Sequence, residues 1–175
     1  MTILFCDMII ENEKNIMERS DGILIKNYEI AKVFDDIAKI LQIKNENRFK
    51  IRAYERVGAT IESLPMEVET IYKAGQLDEI PGVGEAIAKK IEELIETGKL
   101  EYYENLKKSI PSGVLELLKV SEIGPRKANL FYEELGIDNV DKLEKAAREH
   151  KLKNLPGMGE KAEENILRGI ELYNR

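Results

Sequence analysis

One short phrase occurs three times in this chain, and the repeat constrains the fold more than any other feature. The copies are Ile80-Pro-Gly-Val-Gly84, Val120-Ser-Glu-Ile-Gly124 and Leu155-Pro-Gly-Met-Gly159. Small residues around one apolar residue allow a sharp turn between two helices, and the apolar side chain can fill the gap between them. The second helix then starts with unpaired N–H groups, which favour an anion. The repeat therefore predicts helix-hairpin-helix units that hold a nucleic-acid backbone without reading bases.

Helix-forming residues dominate the rest of the sequence, and no strand-length run alternates apolar and polar residues. From Asn27, which we expect to cap the first helix, apolar residues recur at helical spacing. The apolar side of the second helix is predicted to comprise Phe49, Ala53, Tyr54, Val57 and Ile61. We predict an all-α fold with an extension over 1–26, a helical-bundle domain with the first hairpin over 27–108, and a helix-hairpin-helix domain over 109–175.

The formal net charge of −6 argues against a simple nucleic-acid-binding protein, because such proteins are usually basic. The basic residues, however, are concentrated in the predicted second helix and beside the hairpins. Local basic patches on an acidic protein are compatible with backbone binding that weakens with salt. The candidate DNA-binding residues are Lys50, Arg52, Arg56, Lys89, Arg126, Lys127 and Lys161, with the turn glycines Gly82, Gly84, Gly124, Gly157 and Gly159.

Cysteine and histidine each occur once, as Cys6 and His150. An internal disulfide and a histidine-rich metal site are therefore excluded, and so few cysteines are typical of a reducing, cytoplasmic environment. Residues 1–10 have no basic start, contain Asp7 and are too short to span a bilayer. We expect a soluble protein that makes no membrane contact.

The first repeat belongs to a longer pattern, in which residues 80–91 are followed by Glu96-Thr-Gly-Lys-Leu100. This pattern resembles the first hairpin of the family X DNA polymerases, the DNA polymerase beta group. Residues 118–137 are similar to the second hairpin of that family, and residues 153–167 resemble the extra hairpin of its bacterial and archaeal members. The resemblance covers about residues 27–175 in the same order.

The resemblance implies a lyase-like first domain that acts in DNA base excision repair on gapped or nicked DNA with a 5′-phosphate end. In this family a lysine amine attacks the aldehyde of a 5′-deoxyribose phosphate, forms a Schiff base, and β-elimination follows. Alignment of the first turn places Lys90 at the nucleophile position, and Lys50 and Tyr54 in the 5′-phosphate pocket. An amine attacks in its neutral form, which neighbouring cations such as Lys89 and Lys50 would favour.

Three positions depart from the family pattern. Two further pocket lysines are replaced by Ala86 and Tyr102, which lowers the positive charge of the pocket, although Arg52 and Arg56 could offset the loss. Tyr102 is most simply a packing residue. Glu122 replaces a hairpin glycine, and we expect its carboxylate to repel phosphate and to distort the turn.

The family's hairpin carbonyls also bind a monovalent cation that bridges to phosphate. The resemblance therefore implies Na+ or K+ at backbone carbonyls in the first two hairpins, and no other cofactor is required. The candidate carbonyls are those of Ile80, Val83, Val120 and Ile123.

A polymerase palm of this family needs a Gly-Ser pair and an Asp-x-Asp pair that holds two magnesium ions, and this sequence contains neither. We expect no polymerase activity from the chain, which is either the N-terminal part of a larger enzyme with a palm or a stand-alone remnant. Two hypotheses for its function remain, a 5′-deoxyribose-phosphate lyase that uses Lys90 and a non-catalytic DNA-binding module. A protein-interaction scaffold is a third.

Overall fold

The computed structural model describes residues 25–175, and this part of the chain consists of helices and connecting turns without a strand. The helices are α1 (Asn27–Ile43), α2 (Arg48–Glu62), α3 (Val68–Lys73), α4 (Glu85–Thr97), α5 (Glu101–Lys108), α6 (Ser112–Leu117), α7 (Pro125–Leu135), α8 (Val140–Arg148) and α9 (Glu160–Tyr173). Short 3-10 turns at Leu77–Glu79 and Leu152–Asn154 precede the first and third hairpins. The predicted all-α fold is confirmed. Residues 1–24 of the predicted extension lie outside the described residues.

The described residues form two compact units. The first contains residues 25–38 and 49–104, and the second contains residues 39–48 and 105–175. Residues 39–48 fell in the first domain of the prediction, but in the structure Lys44 Nζ donates a hydrogen bond of 3.0 Å to Ser109 Oγ of the second unit. Toward the C-terminus the division falls after residue 104, close to the predicted boundary after residue 108.

The core of the first unit is aliphatic around one phenylalanine. Helices α1 to α4 each contribute to it because each has an apolar stripe at helical spacing. Burial of each large side chain stabilises the fold by about 1.5–3 kcal/mol. The side chains with no measurable exposure are Ile30, Phe34 and Ile37 of α1, Val57 and Ile61 of α2, Val68 of α3 and Ile91 of α4.

Asn27 does not cap α1, so that prediction is wrong. It lies in the first turn of α1, and its Oδ1 accepts a hydrogen bond of 2.7 Å from the Val68 backbone N–H at the start of α3. Its Nδ2 donates to the Met66 carbonyl over 2.9 Å. The side chain therefore caps a neighbouring helix and joins α1 to α3, a contact that local spacing alone does not reveal.

The predicted apolar face of α2 is wrong at its start. Phe49 is 82% exposed, and Ile51 is the residue of the first turn that enters the core. Ala53 is also exposed. The side of α2 that faces the core begins at Ile51, and its residues follow at intervals of three or four along the helix. The buried residues of α2 are Ile51, Tyr54, Val57, Gly58 and Ile61.

The second unit packs the helices of two successive hairpins together. Helix α8 contacts α9, and α6 contacts both α7 and α8. Helix α8 begins after Asn139, whose side chain accepts a hydrogen bond from the Lys142 N–H. The fully buried side chains of this unit include Leu41, Val114, Leu117, Phe131, Leu143, Leu152 and Ile166.

Helix α9 approaches the turn of the second hairpin through Gly169. A Cβ at this position would lie 2.6 Å from the Ser121 carbonyl oxygen and 3.2 Å from Val120 Cγ1. Real Cβ atoms do not approach backbone oxygen this closely, so glycine is required where α9 crosses the turn. The third hairpin therefore supports the backbone of the second.

We expect Gly169→Ala to destabilise the second unit by about 1 kcal/mol. Overpacking against the Ser121 carbonyl costs roughly 1–3 kcal/mol. The better helix propensity of alanine offsets about 1 kcal/mol of that cost. Urea denaturation measures the free energy of unfolding. Arg168→Ala, at the neighbouring exposed position of the same helix, is the control and should change that value by less than about 0.5 kcal/mol. A stabilised Gly169→Ala variant would contradict the close approach.

Candidate nucleic-acid interface

The three hairpin turns share one backbone conformation. The third residue of each phrase has a left-handed φ, which is 88° at Gly82, 72° at Glu122 and 72° at Gly157. The next residue donates its N–H to the carbonyl oxygen of the aliphatic residue that opens the phrase. These hydrogen bonds run from Val83 to Ile80 over 2.9 Å, from Ile123 to Val120 over 3.1 Å and from Met158 to Leu155 over 3.0 Å.

Glu122 does not distort the second turn, so the expected distortion is wrong. Its φ of 72° equals that of Gly157 in the third turn, and the turn hydrogen bond is present. A left-handed conformation costs an L-residue about 1–2 kcal/mol. The neighbouring Ile123 is buried and contributes roughly 1.5–3 kcal/mol, which is sufficient to hold the turn. The expected repulsion between the Glu122 carboxylate and phosphate stays a prediction.

A glycine immediately precedes the helix that follows each turn. Gly84, Gly124 and Gly159 are the N-caps of α4, α7 and α9, and none of these helices has a side-chain cap. Each glycine has an extended backbone with φ of −93°, −95° and −162° respectively, which any residue adopts. A Cβ at any of the three would meet no atom within 4 Å. No side chain therefore caps the first turn of these three helices.

Acidic residues at the helix starts are paired with basic groups. The Glu85 carboxylate accepts from Lys89 Nζ at 2.7 Å, and that of Glu160 lies 3.4 Å from Lys153 Nζ. In the second hairpin Lys127 Nζ donates a hydrogen bond of 2.7 Å to the Glu122 carbonyl oxygen. These contacts place ammonium groups next to turns whose side chains carry negative charge.

Glu163 is a buried carboxylate that the sequence did not reveal. It is 3% exposed, its Oε2 accepts the Lys153 backbone N–H at 3.0 Å, and its Oε1 lies 2.8 Å from His150 Nδ1. His150 itself has a left-handed φ of 57°. The carboxylate thus fixes the segment that leads into the third hairpin. The burial of Glu163 could not be predicted from the sequence, because its partners His150 and Lys153 lie in the segment between two helices, where no periodic pattern indicates a contact.

Two predicted site lysines meet at one aromatic ring in the first unit. Lys90 Nζ of α4 lies 5.0 Å from the centroid of the Tyr102 ring, and Lys50 Nζ of α2 lies 5.7 Å from the same centroid. Lys90 Nζ also donates a hydrogen bond of 3.3 Å to the Ala86 carbonyl. The family alignment named both lysines and placed Tyr102 at the position of a further pocket lysine, whereas the tyrosine itself was predicted only to be a packing residue.

Tyr54 lies beneath Tyr102 rather than at the surface. Its ring stacks on Tyr102 with centroids 6.1 Å apart and on Phe34 with centroids 5.8 Å apart. Burial raises the pKa of the Tyr54 phenol, and the neighbouring Tyr102 phenol raises it further. Tyr54 is therefore a neutral core-edge side chain, and direct contact between its hydroxyl and a 5′-phosphate stays a prediction.

The remaining predicted basic residues lie at the surface of their own units. The aliphatic part of the Arg56 side chain lies beside the first turn. A Cβ placed on Gly82 would be 3.5 Å from Arg56 Cδ. All four of these residues are exposed and form no ion pair within residues 25–175; they are Arg52, Arg56, Arg126 and Lys161.

The predicted cation-binding carbonyls take part in the turns. Ile80 O and Val120 O each accept one turn hydrogen bond, and a carbonyl oxygen has a second lone pair that can face a cation. Within residues 25–175, no cluster of three or more histidine, cysteine, aspartate or glutamate side chains is arranged to hold a metal ion. Any ion at these turns would depend on backbone oxygens.

Comparison with known proteins gives two matching families and one curated relative. Residues 25–100 match the family described as helix-hairpin-helix domain, and residues 114–171 match the SAM-like helix-hairpin-helix tandem. The chain is 30% identical over 142 residues to the DNA polymerase/3′-5′ exonuclease PolX of Bacillus subtilis (strain 168). The match covers 81% of this chain and 24% of that relative, so the chain spans about a quarter of the length of the relative.

None of the helices between residues 25 and 175 combines the length and the apolar character that crossing a bilayer needs.

We expect Glu122→Gly to stabilise the second unit by about 0.5–1 kcal/mol, since relief of the left-handed strain exceeds the entropic cost of glycine, roughly 0.5–1 kcal/mol. The reciprocal change Gly157→Glu, at the equivalent left-handed position, should destabilise the same unit. Both values come from urea denaturation. If Glu122→Gly destabilises the protein as much as Gly157→Glu does, the two turns are not equivalent.

Proposed function

We propose that this chain, which matches two helix-hairpin-helix families and is 30% identical over 142 residues to a PolX DNA polymerase, binds the sugar-phosphate backbone of gapped or nicked DNA without reading base sequence. One observation carries this proposal. Gly84, Gly124 and Gly159 are glycines that neither backbone conformation nor internal packing requires. Three such positions at equivalent helix starts are best explained by close approach of an external group.

A phosphate oxygen is the group that this surface would receive. Helix N-caps favour serine, threonine, asparagine or aspartate, whose side chains cover the first N–H groups, whereas glycine leaves those groups accessible. Uncovered N–H groups and the helix dipole favour an anion. Within residues 25–175, a basic side chain that forms no ion pair belongs to each hairpin: Arg56 lies beside the first turn, and Arg126 and Lys161 lie in the first turn of the helix that follows the second and third turns. Such contacts carry no base information and weaken steeply with salt.

The Na+ or K+ ion that the family resemblance implies belongs to the same proposal. It would sit at the turn carbonyls of Ile80 and Val83 in the first hairpin, and of Val120 and Ile123 in the second. A cation there would bridge backbone oxygen and phosphate. Lys127 already places an ammonium on the adjacent Glu122 carbonyl, so the first hairpin is the better candidate for an ion.

The proposed chemistry of the first unit is 5′-deoxyribose-phosphate lysis. The neutral Lys90 amine would attack the C1′ aldehyde, and the addition product would take up one proton from solvent and lose water to give a protonated imine. Loss of a C2′ proton then expels the 3′-phosphate oxygen, and hydrolysis of the imine returns the amine. Lys90 is half-buried and forms no ion pair with a carboxylate within residues 25–175, which supports this assignment.

One observation favours the non-catalytic alternative. The Tyr102 ring and the Ala86 carbonyl are both groups that attract an ammonium ion rather than a neutral amine. In that case Lys90 would bind phosphate without attacking the sugar, and the chain would position DNA for a palm domain or a separate repair partner.

We expect Gly84→Ser and Gly159→Ser to change stability and DNA affinity in opposite directions. A serine side chain caps the helix and should stabilise the protein by a few tenths of a kcal/mol. The same side chain occupies the phosphate position, so affinity for a gapped duplex should fall about tenfold for each variant. Fluorescence anisotropy at low salt measures the affinity, and thermal denaturation measures stability.

Asn139→Ser is the matched control, because it keeps a capping side chain at a helix that does not follow a hairpin turn. Its DNA affinity should equal that of the wild type. Unchanged affinity in both hairpin variants would remove the support that the glycines give to the proposal.

We expect borohydride to trap a covalent adduct between the protein and a gapped duplex that carries a 5′-deoxyribose phosphate. The adduct should be lost in Lys90→Ala and kept in Lys89→Ala, because Lys89 is held by Glu85. An adduct that survives in Lys90→Ala would move the nucleophile to another lysine. No adduct from a wild-type protein that binds the duplex would establish the non-catalytic alternative.

A further inference from the structure

His150 of the third hairpin takes the place of Gly75 in the first. Each of the two lies five residues before the aliphatic residue that opens the turn phrase. Each has a left-handed φ, which is 57° at His150 and 70° at Gly75. This conformation strains a residue that has a Cβ, whereas glycine adopts it freely. The backbone conformation therefore does not explain why a histidine stands here.

Glu163 of the third hairpin takes the place of Ala88 in the first. Each donates its N–H to the carbonyl oxygen of the N-cap glycine of its helix, over 3.1 Å for Glu163 and 2.9 Å for Ala88. Glu163 is the one charged residue that is buried within residues 25–175. Taking a carboxylate out of water costs free energy that an alanine does not require. Stability alone would therefore favour alanine at this position.

The two residues share a hydrogen bond that orients the imidazole ring. His150 Nδ1 lies 2.8 Å from Glu163 Oε1. An ionised carboxylate only accepts hydrogen bonds, so Nδ1 carries a proton whether the ring is neutral or charged. The proton that comes and goes is therefore the one on Nε2, in a side chain that is 67% exposed. The contact holds at the surface a group of the kind that changes charge near neutral pH.

The net charge of this pair depends on Nε2. With a neutral ring the pair carries the negative charge of the carboxylate, and with a protonated ring the pair is neutral. The other charged side chains nearby on α8, α9 and the 3-10 turn are paired with one another or exposed. The pairs are Glu144–Arg148 and Glu149–Lys151 at 2.7 Å each and Lys153–Glu160 at 3.4 Å, and the exposed residues are Lys145, Lys161 and Glu164.

Glu163 lies close to the phosphate position that is proposed for the third hairpin. It follows the N-cap Gly159 by four residues, which is about 6 Å along the axis of α9. The Debye length at physiological salt is about 8 Å, so salt does not fully screen a charge at this distance. A negatively charged pair therefore opposes a phosphate at the start of α9, and a neutral pair does not.

We propose that His150 is a proton-sensitive determinant of phosphate binding at the third hairpin, and that Glu163 is the positioning residue that holds its ring there. Protonation of Nε2 removes the negative charge of the pair and so strengthens binding of a nucleic-acid phosphate. By linkage, a bound phosphate favours the protonated ring to the same extent. This inference rests on the proposed function, because it takes the phosphate to be bound beside Gly159.

The first test measures the affinity of the full chain for a gapped duplex at pH 6 and at pH 8, at constant salt, by fluorescence anisotropy. Every 5′ end of the duplex carries a hydroxyl group, because a terminal phosphate changes its own charge near pH 6. We expect the wild-type protein to bind about threefold more tightly at pH 6, which is the effect of one charge at this distance. His150 is the single histidine of the chain, so the comparison addresses one imidazole.

His150→Asn removes the titrating ring and keeps the local structure. Asparagine retains an N–H donor for Glu163 and tolerates a left-handed φ. Its affinity for the duplex should therefore be the same at pH 6 and pH 8.

Glu163→Gln separates charge from structure. Glutamine can still accept the Lys153 N–H but carries no charge, so the affinity at pH 8 should rise about threefold. A purely structural role of the carboxylate predicts no gain from this substitution. Glu164→Gln, which removes an exposed carboxylate from the next position of α9, is the matched control. It should keep the wild-type ratio between the affinities at the two pH values.

The second test follows the imidazole of the wild-type protein by NMR at pH 7. Addition of the same duplex should move the ring carbon signals of His150 toward their positions at low pH. This measurement needs no substitution, so it does not depend on the folding of a variant.

The outcomes distinguish this inference from the hairpin proposal. Equal wild-type affinity at the two pH values, a pH dependence that persists in His150→Asn, or no gain in Glu163→Gln at pH 8 would overturn the inference and leave the hairpin proposal standing. Ring signals that do not move when the duplex binds would do the same. A wild-type protein that binds the duplex at neither pH would overturn the hairpin proposal and this inference with it.

Discussion

The left-handed residue in each hairpin turn is the constraint on which the rest of the interface depends. It reverses the chain within three residues, so that the next N–H closes a hydrogen bond to the preceding helix end and the apolar residue turns inward. The following helix starts at once, and its first N–H groups have no acceptor within that helix. Glu122 adopts the same conformation as the glycines. The free energy gained by burying the adjacent Ile123 therefore exceeds the cost of the left-handed conformation. Sequence at the turn can thus vary while the geometry does not.

Local pairing of charges explains how an acidic chain can present sites for an anion. Acidic residues near the hairpins have local partners, since Glu85 pairs with Lys89 and Glu163 contacts the His150 ring and accepts the Lys153 backbone N–H. Several basic side chains have no such partner within residues 25–175 and therefore keep their full charge. The field at a binding surface depends on these local charges more than on the net charge, because salt screens distant ones.

Much of the fold could be predicted from the sequence, because repeats and helical periodicity are local signals. The all-α class, the hairpins and the proximity of Lys50 to Lys90 follow from spacing and from the family pattern. Two of the wrong predictions concern Phe49, which lies outside although it is apolar, and Asn27, which caps α3 instead of α1. Both depend on tertiary contacts. The contact of the Tyr102 ring with Lys50 and Lys90 could not be found in the same way, since the two lysines belong to other helices and meet the ring only after folding.

The most direct test of the account is to map backbone amide shifts of the full chain by NMR while a gapped duplex is added at low salt. If the hairpin turns hold the phosphate backbone, the largest shifts should fall on the N–H groups of residues 82–86 and 157–161. Smaller shifts should appear at residues 122–127, where the Glu122 carboxylate opposes binding. Saturable binding that leaves the amides of residues 82–86 and 157–161 unchanged would contradict the account.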